Sequence, residues 1–247
     1  MKLTFIIPHK EDAIIRRLLD SLKQQTSKNF EVIVIDATAD RSYVEVLRKL
    51  VNSLDSRIVH TECKAGTARN IGAKLAKGDV LVFVDSDVVL ASDFVEKLAQ
   101  LFKEDTNLVA VGFPIHPTKI NRVTTTVYRG LRIMNRFSYR YGRPRIPTTC
   151  AAYRRRIFQS EFFSDLIGED ILFSAAIMKL GDAKYAEHIV VFEEPRRWDE
   201  GTKILKNLWH YIPSYIIYFL TIVNLHRLLV PKQEAKTTCR NAHAART

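Results

Sequence analysis

The sequence is poor in the residues that build common glycine- and cysteine-based sites. It has nine glycines and three cysteines in 247 residues. The turn after the first predicted strand, Pro8-His9-Lys10-Glu11, contains no glycine, whereas a dinucleotide-binding Rossmann turn needs glycine so that the backbone can approach a pyrophosphate. No Gly-x-x-x-x-Gly-Lys-Ser/Thr stretch is present, which argues against a P-loop. A bound nucleotide would therefore be held by carboxylates and a metal.

The cysteines form no metal-type pair. Cys63, Cys150 and Cys239 lie far apart in the sequence, and no His/Cys cluster has zinc spacing. We expect reduced thiols. Because no secretory pattern precedes the first predicted strand, we also expect a cytosolic setting.

Acidic residues are scarce, and none occurs between Lys119 and Arg156. The formal net charge is +11 and the isoelectric point is near 9.6. Such a balance predicts an anionic partner, whether nucleic acid, a phospholipid surface or a phosphorylated substrate. The 47% hydrophobic content is enough for one substantial α/β domain.

Strand and helix patterns alternate along the first half of the chain. The predicted strands are Leu3–Pro8, Phe30–Asp36, Arg57–Glu62, Val80–Asp85 and Leu108–Phe113. The predicted helices between them are Glu11–Gln25, Tyr43–Leu54, Thr67–Lys77 and Ser92–Lys103. This alternation predicts a Rossmann-like α/β fold with a mainly parallel sheet flanked by helices. Ligands of such sheets bind beyond the carboxyl ends of the strands, where Pro8, Asp36 and Asp85 would line one crevice.

The second half of the chain is less regular. We predict a helix from Gly168 to Leu180 and a closing strand over Lys184–Phe192. The expected organisation is one domain over residues 1–198, a hydrophobic or amphipathic helical segment over 199–230 and a basic, disordered tail over 231–247.

The most informative segment is Val80–Asp87. It is a run of β-branched and aromatic residues that ends in two carboxylates, Asp85 and Asp87, one residue apart. Two carboxylates at the end of a buried strand are costly unless a positive group lies between them. A divalent cation that carries a diphosphate is the natural occupant, and the alternative is a solvated acidic turn.

Several motifs together resemble a family 2 glycosyltransferase of the GT-A fold over residues 1–195. Their order in the chain is Pro8, Asp36, Gly66-Thr67-Ala68-Arg69-Asn70, Asp85-Ser86-Asp87 and Glu169-Asp170. The resemblance implies an inverting transfer of a sugar from a nucleoside-diphosphate sugar, with Mn²⁺ or Mg²⁺ as the cofactor.

The resemblance also implies roles for individual donor-site residues. Pro8 and Glu11 would border the base and ribose, Asp36 would accept a hydrogen bond from the base, and Arg69 would lie near the nucleotide. The family often has a second Asp directly after Asp36, where this chain has Ala37. The sequence therefore leaves the choice between a UDP- and a GDP-linked donor open.

The two acidic motifs would carry the chemistry. Asp85 and Ser86 would face the nucleotide sugar, Asp85 and Asp87 would bind the metal, and Asp170, with Glu169 beside it, would be the general base. A positioned carboxylate helps a poorly nucleophilic hydroxyl by taking its proton in the transition state. The alternative for Glu169 and Asp170 is a pair of acids that complement a helix N-terminus.

Two basic motifs are candidate phosphate contacts. Arg196 and Arg197 lie in Glu194–Trp198, which weakly resembles the Gln-x-x-Arg-Trp box of processive polysaccharide synthases; the alternative is a solvated basic turn. Five arginines recur at three- and four-residue steps and would share one helix face: Arg129, Arg132, Arg136, Arg140 and Arg143. We hypothesise that Arg136 and Arg140 meet a lipid-phosphate acceptor or an anionic membrane, and the alternative is a solvated surface.

Residues 207–225 form a stretch of 19 residues without a formal charge. An uncharged stretch of this length is a transmembrane candidate. Its narrow polar stripe favours contact with the membrane without full spanning, and the alternative is a helix packed on the domain. We expect the protein to lie at the cytoplasmic face of the membrane.

Two other functions stay open at this point. A basic nucleic-acid- or membrane-binding module would explain the charge, although nucleic acid leaves Asp36, Asp85, Asp87 and Asp170 without a role. A sugar nucleotidyltransferase would share the sheet and the metal carboxylates, but it normally has a glycine-rich stretch after the first strand.

Overall fold

The computed structural model describes residues 1–10, 13–39, 42–165 and 168–196, together with 216, 218 and 243–245. Its strands are β1 (Leu3–His9), β2 (Phe30–Asp36), β3 (Ser56–His60), β4 (Val80–Val84), β5 (Val88–Leu90), β6 (Leu108–Gly112), β7 (Ile115–Pro117), β8 (Cys150–Arg154), β9 (Asp182–Tyr185), β10 (Val191–Glu193) and β11 (His243–Ala245). Its α-helices are α1 (Ile15–Lys23), α2 (Ser42–Val51), α3 (Ala65–Leu75), α4 (Phe94–Glu104), α5 (Arg122–Arg140) and α6 (Glu169–Ile177). A short 3₁₀ helix follows β8 at Arg155–Gln159.

The central sheet has the strand order β11-β3-β2-β1-β4-β8-β6-β9 within the described residues. The pairs β1–β2, β1–β4, β2–β3 and β6–β9 are parallel, whereas β8 runs antiparallel to both β4 and β6. The predicted mainly parallel sheet is therefore confirmed. A small second sheet of β5, β10 and β7 lies beside the end of β4.

The predicted closing strand Lys184–Phe192 is wrong. The structure has β9 in the central sheet and β10 in the small sheet, with a turn between them. Ala186 and Ile189 in this turn are buried, so the apolar pattern that suggested one continuous strand comes partly from a turn packed on the core.

The strands β1, β2 and β4 are almost wholly buried, as expected for parallel strands covered on both faces. An aromatic cluster packs on the face of the sheet below α6: Phe83, Tyr153, Phe158, Phe163 and Phe173. Rings of this size bury a large apolar area and lock their neighbours by shape. The cluster therefore gives the first turn of α6 a rigid support.

Most of the predicted helical segment, residues 199–230, and most of the predicted tail, residues 231–247, lie outside the described residues. Tyr218 is described, and its hydroxyl donates to the Arg143 carbonyl at 3.1 Å. Residues 243–245, in the tail predicted to be disordered, form β11 and pair antiparallel with β3. Within the described part of the chain, no helix has both the length and the apolar character needed to cross a bilayer.

Candidate functional site

The carboxyl ends of β1 and β4 and the start of α6 enclose a cleft of about 600 Å³. Most of the residues predicted to form the site line it: Pro8, Arg69, Asp85, Ser86, Asp87, Glu169, Asp170 and Arg196. These residues come from five separate parts of the sequence. Of the three residues expected to line one crevice at the strand ends, Pro8 and Asp85 line this cleft and Asp36 does not.

Other predicted residues are placed elsewhere. Asp36 is fully buried behind the cleft wall; its carboxylate accepts from the Thr38 hydroxyl at 2.6 Å and lies 3.0 Å from His60 Nδ1. Arg136 and Arg140 are exposed on α5 and do not line this cleft. Glu11 and Arg197 lie outside the described residues.

Arg69 links the two acidic motifs. Its side chain is only 5% exposed, its Nη2 lies 3.1 Å from Asp85 Oδ1, and its Nη1 pairs with Glu169. The guanidinium also lies over the ring of Phe163, 5.8 Å from the centroid. Arg69 does lie in the candidate donor site, but its partners in this structure are protein carboxylates, and the sequence did not predict this bridge.

Hydrogen bonds join the start of α3 to the segment that precedes α6. Asp165 accepts hydrogen bonds from the Thr67 backbone N–H at 2.9 Å and from its hydroxyl at 2.6 Å. Asn70 and Phe163 exchange two hydrogen bonds, at 2.8 and 2.9 Å. A Cβ at Gly66 would collide with the Ser164 carbonyl and come within 2.9 Å of Glu169. The Gly66–Asn70 motif thus fixes the distance between α3 and α6.

Gly168 sets the direction of α6. It adopts a left-handed conformation with φ 75° immediately before the helix, which glycine accepts without steric cost. The following two residues, Glu169 and Asp170, then point into the cleft from the first helical turn. Burial raises the pKa of Glu169 to about 7, and the nearby acids Asp170 and Asp85 add to this effect, while Arg69 opposes it.

Asp170 lies beside a second buried arginine that the sequence analysis did not single out. Arg145 Nη2 is 3.9 Å from Asp170 Oδ2, and Arg145 Nη1 is 3.4 Å from Asn135 Oδ1. Only 8% of the Arg145 side chain is exposed. Arg145 lies in the segment from Lys119 to Arg156 that has no acidic residue. It is not one of the five arginines whose spacing predicted a shared helix face.

Asp87 is held by a cationic side chain. One of its carboxylate oxygens, Oδ2, lies 2.7 Å from Arg196 Nη2, and its backbone carbonyl accepts from the Glu194 N–H at 2.9 Å. The other oxygen, Oδ1, is buried and has no hydrogen-bond partner among the described residues. An unpartnered carboxylate oxygen is a suitable ligand for a hard cation, so Asp87 fits a divalent metal, while Asp85, the other predicted ligand, is paired with Arg69 in this structure.

The protein side chains alone do not make a complete metal cage. No group of three or more His, Cys, Asp or Glu residues in the described part of the chain is arranged to hold a metal. A metal bound by one or two carboxylates plus substrate phosphates does not need such a group. Any cation at Asp87 would also have to compete with Arg196.

Glu194 positions the segment that carries Arg196. It is 7% exposed and contacts Arg17 at 2.5 Å, Lys119 at 3.0 Å and the Thr118 hydroxyl at 2.8 Å. Burial alone would raise the pKa of Glu194, but the hydrogen bonds and charges of these partners lower it. The sequence resemblance drew attention to this segment without predicting that Glu194 holds it in place.

Comparison with known proteins identifies a family. Residues 4–162 match the model described as Glycosyl transferase family 2. An uncharacterized glycosyltransferase of Haemophilus influenzae is 36% identical over 124 residues, which are 49% of this chain and 40% of that protein. The chain therefore spans about two fifths of the length of this relative.

Two solved structures resemble the fold. The mannosyltransferase PcManGT of Pyrobaculum calidifontis, in complex with GDP-Man and Mn²⁺, has a TM-score of 0.71 at 19% identity and covers 90% of this chain and 64% of that one. Residues 1–349 of TarS from S. aureus, in complex with UDP-GlcNAc, have a TM-score of 0.67 at 20% identity, with 91% and 67% covered. These likenesses confirm the predicted GT-A-type fold.

Proposed function

The chain belongs to glycosyl transferase family 2, and on that premise we propose that it is a metal-dependent, inverting glycosyltransferase. It moves a sugar from a UDP- or GDP-linked donor to a hydroxyl or phosphate acceptor. The observation that carries the proposal is the convergence in one cleft of Asp85, Asp87 and Asp170 from two distant parts of the sequence. Family membership and this constellation favour glycosyl transfer over nucleotidyl transfer and nucleic-acid binding.

The donor occupies the part of the cleft beside Pro8, Ser86 and Asp87. The two structural neighbours contain GDP-Man with Mn²⁺ and UDP-GlcNAc, which supports both donor classes and a divalent cation. When bound at Asp85 and Asp87, Mn²⁺ or Mg²⁺ supplies positive charge to the departing diphosphate. Arg196 lies beside Asp87 and would contact phosphate oxygens if Asp87 held a cation.

Asp170 is the general base. It lies on the first turn of α6, faces the cleft and accepts the proton of the acceptor hydroxyl as that oxygen attacks the sugar. Attack on the face opposite the leaving diphosphate inverts the configuration. Glu169 does not compete for this role, because its carboxylate is engaged by Arg69.

The acceptor is lipid-linked or lies near the membrane. The net charge of +11 and the exposed arginines of α5, Arg136 and Arg140 among them, support an anionic surface as the partner. The protein would then work peripherally at the cytoplasmic face of the membrane.

A thermal-shift panel tests the proposal. The protein is mixed with UDP, GDP, TDP or CDP, with and without Mn²⁺, because a ligand of the folded state raises Tm by mass action. We expect metal-dependent stabilisation by UDP or GDP that is lost in Asp87→Asn. The matched control is Asp20→Asn, an exposed acid of α1 that pairs only loosely with Lys23. Absence of a shift with every nucleotide, or an equal loss in the control, would contradict the proposal.

A further inference from the structure

A second concave site lies outside the cleft, between α5 and the edge formed by β7 and β9. This groove has a volume of about 240 Å³ and is lined by His116, Arg129, Arg132, Arg136, Tyr185 and Glu187. Its three arginines come from one face of α5, at the three- and four-residue spacing noted in the sequence. Arg140, farther along the same helix, does not line it.

The groove has an excess of positive charge. Three guanidinium groups face one carboxylate, Glu187, which pairs with Arg136 at 2.5 Å. Burial and the charge of Arg132 lower the pKa of His116, which favours its neutral form. Arg132 also donates to the Ile115 carbonyl at 3.2 Å, which holds its planar fork in place. Arginine forks match the geometry of phosphate oxygens.

Tyr185 adds a donor without a protein acceptor. Its hydroxyl is buried and has no hydrogen-bond partner among the described residues. Tyr185 is one of the residues that line the groove, and burial raises the pKa of Tyr185 to about 12, so its hydroxyl remains a donor. A buried donor of this kind is costly unless an acceptor is supplied, and a phosphate oxygen is such an acceptor.

A small cavity shares lining residues with both the cleft and the groove. It has a volume of about 80 Å³ and is lined by Asp85, Asp87 and Arg145, which also line the cleft, and by Arg132, which also lines the groove. Asn135 also lines this cavity. Because Arg132 borders both the groove and this cavity, the groove lies close to the carboxylates of the candidate active site.

We propose that the groove is a phosphate subsite for the acceptor. The acceptor carries a phosphate monoester or diester, which Arg129, Arg132, Arg136 and the Tyr185 hydroxyl bind. Its reacting group reaches the cleft beside Asp170. This inference rests on the proposed glycosyltransferase function, and it assigns the acceptor class that the catalytic cleft alone leaves open. The phosphate belongs either to a lipid headgroup or to a soluble phosphorylated glycan.

Binding of glycerol phosphate, measured by isothermal titration calorimetry, tests the site. The cleft is first filled with Mn²⁺ and the nucleotide that stabilises the protein, so that only other sites remain. We expect the double variant Arg129→Gln/Arg136→Gln to weaken binding by about tenfold, because each removes a charge-assisted hydrogen bond. Tyr185→Phe removes one neutral donor and should weaken binding by about threefold. Arg16→Gln, an exposed arginine of α1 far from this groove in the sequence and not among its lining residues, should leave it unchanged.

The outcomes separate this inference from the proposed function. No binding of glycerol phosphate by the native chain, or an equal loss in Arg16→Gln, would overturn the inference while leaving nucleotide binding intact. Groove-dependent phosphate binding without any response to nucleotides would overturn the acceptor role together with the proposed function. Vesicles containing phosphatidylglycerol distinguish the source: loss of vesicle binding in the groove variants supports a lipid headgroup, and loss restricted to glycerol phosphate supports a soluble glycan.

Discussion

The two sides of the cleft are built differently. On the side of α6, Arg69 is buried and pairs with both Glu169 and Asp85. Asp165, in the segment before α6, also accepts two hydrogen bonds from the start of α3. On the side of Asp87, the contact is made by Arg196, whose side chain is 46% exposed. A buried, cross-linked network resists rearrangement, whereas an exposed ion pair is weak and easily exchanged. The side that carries Asp170 is therefore formed in advance, whereas the contact of Asp87 with Arg196 is more easily exchanged.

Replacement of Asp170 by Asn should give the largest effect. The amide keeps the shape of the side chain but cannot accept the proton of the acceptor hydroxyl. We expect kcat to fall about a thousandfold, equal to about 4 kcal/mol of transition-state stabilisation, with nucleotide affinity unchanged. The matched control is Asp182→Asn, an exposed acid of β9. If Asp170→Asn retained more than a tenth of kcat, another group would have to be the base.

Arg69→Met tests whether the network on the α6 side is held by one cation. The methionine keeps most of the apolar stem but leaves Glu169 and Asp85 without their shared partner. Removal of one partner from a buried ion pair is strongly destabilising, and we expect the free energy of unfolding to fall by about 3 kcal/mol. Urea denaturation measures this change, with Lys74→Met, an exposed position of α3, as the control. A loss as small as that of the control would mean that the two carboxylates find other partners.

Gly66→Ala tests the spacing of α3 and α6. The added methyl would meet the Ser164 carbonyl, Asp165 and Glu169, so the backbone must shift. Overpacking of this kind costs about 2 kcal/mol, and kcat should fall because Asp170 moves with α6. Gly130→Ala is the control: a Cβ there meets nothing within 4 Å, and α5 should be slightly stabilised. Equal stability of both variants would show that the segment before α6 is free to move.

The difference between the two sides also explains what the sequence could predict. The buried strands and the acids at their carboxyl ends follow from local apolar runs and from the rule that ligands bind at that edge. Asp85 and Asp87 could thus be placed at that edge, whereas Asp170, at the start of a helix, was assigned to the site only through the resemblance to family 2 glycosyltransferases. The Arg69 bridge, the role of Asp165 and the position of Arg145 depend on contacts between residues far apart in sequence, which no local pattern encodes.

Asp36 illustrates the same limit from the other direction. Its place at the end of β2 was predicted, but its burial behind the cleft wall, with Thr38 and His60 as partners, was not. The boundary between β9 and β10 was missed for a related reason, since buried residues of a turn have the same apolar pattern as a strand.

The pH dependence of stability should report on Glu169. Its pKa is about 7 in the folded protein because of burial, above its ordinary value of 4.5. The folded state therefore binds this proton more tightly than the unfolded state, and stability that is fully present below pH 4.5 is lost as the pH rises to about 7. We expect a loss on the order of 1 kcal/mol over this window, since the group is partly exposed. Glu169→Gln should flatten the profile, and Glu104→Gln should not; a profile unchanged by Glu169→Gln would assign the titration to another group.

Arg196→Gln should have the smallest effect on stability and the clearest effect on the affinity for Mn²⁺. An exposed ion pair contributes about 0.5 kcal/mol, so Tm should hardly change. On the proposal that Asp87 binds the cation, the guanidinium competes for the same carboxylate, and Mn²⁺ alone should bind about threefold more tightly to the variant, the equivalent of the lost pair. The Mn²⁺–nucleotide complex should bind more weakly, since the arginine no longer meets the phosphates. Calorimetry of both titrations, with Arg156→Gln as an exposed control, separates the two effects. Unchanged Mn²⁺ affinity would mean that Arg196 and the cation do not share Asp87, and the two sides of the cleft would then be equally fixed before the ligand arrives.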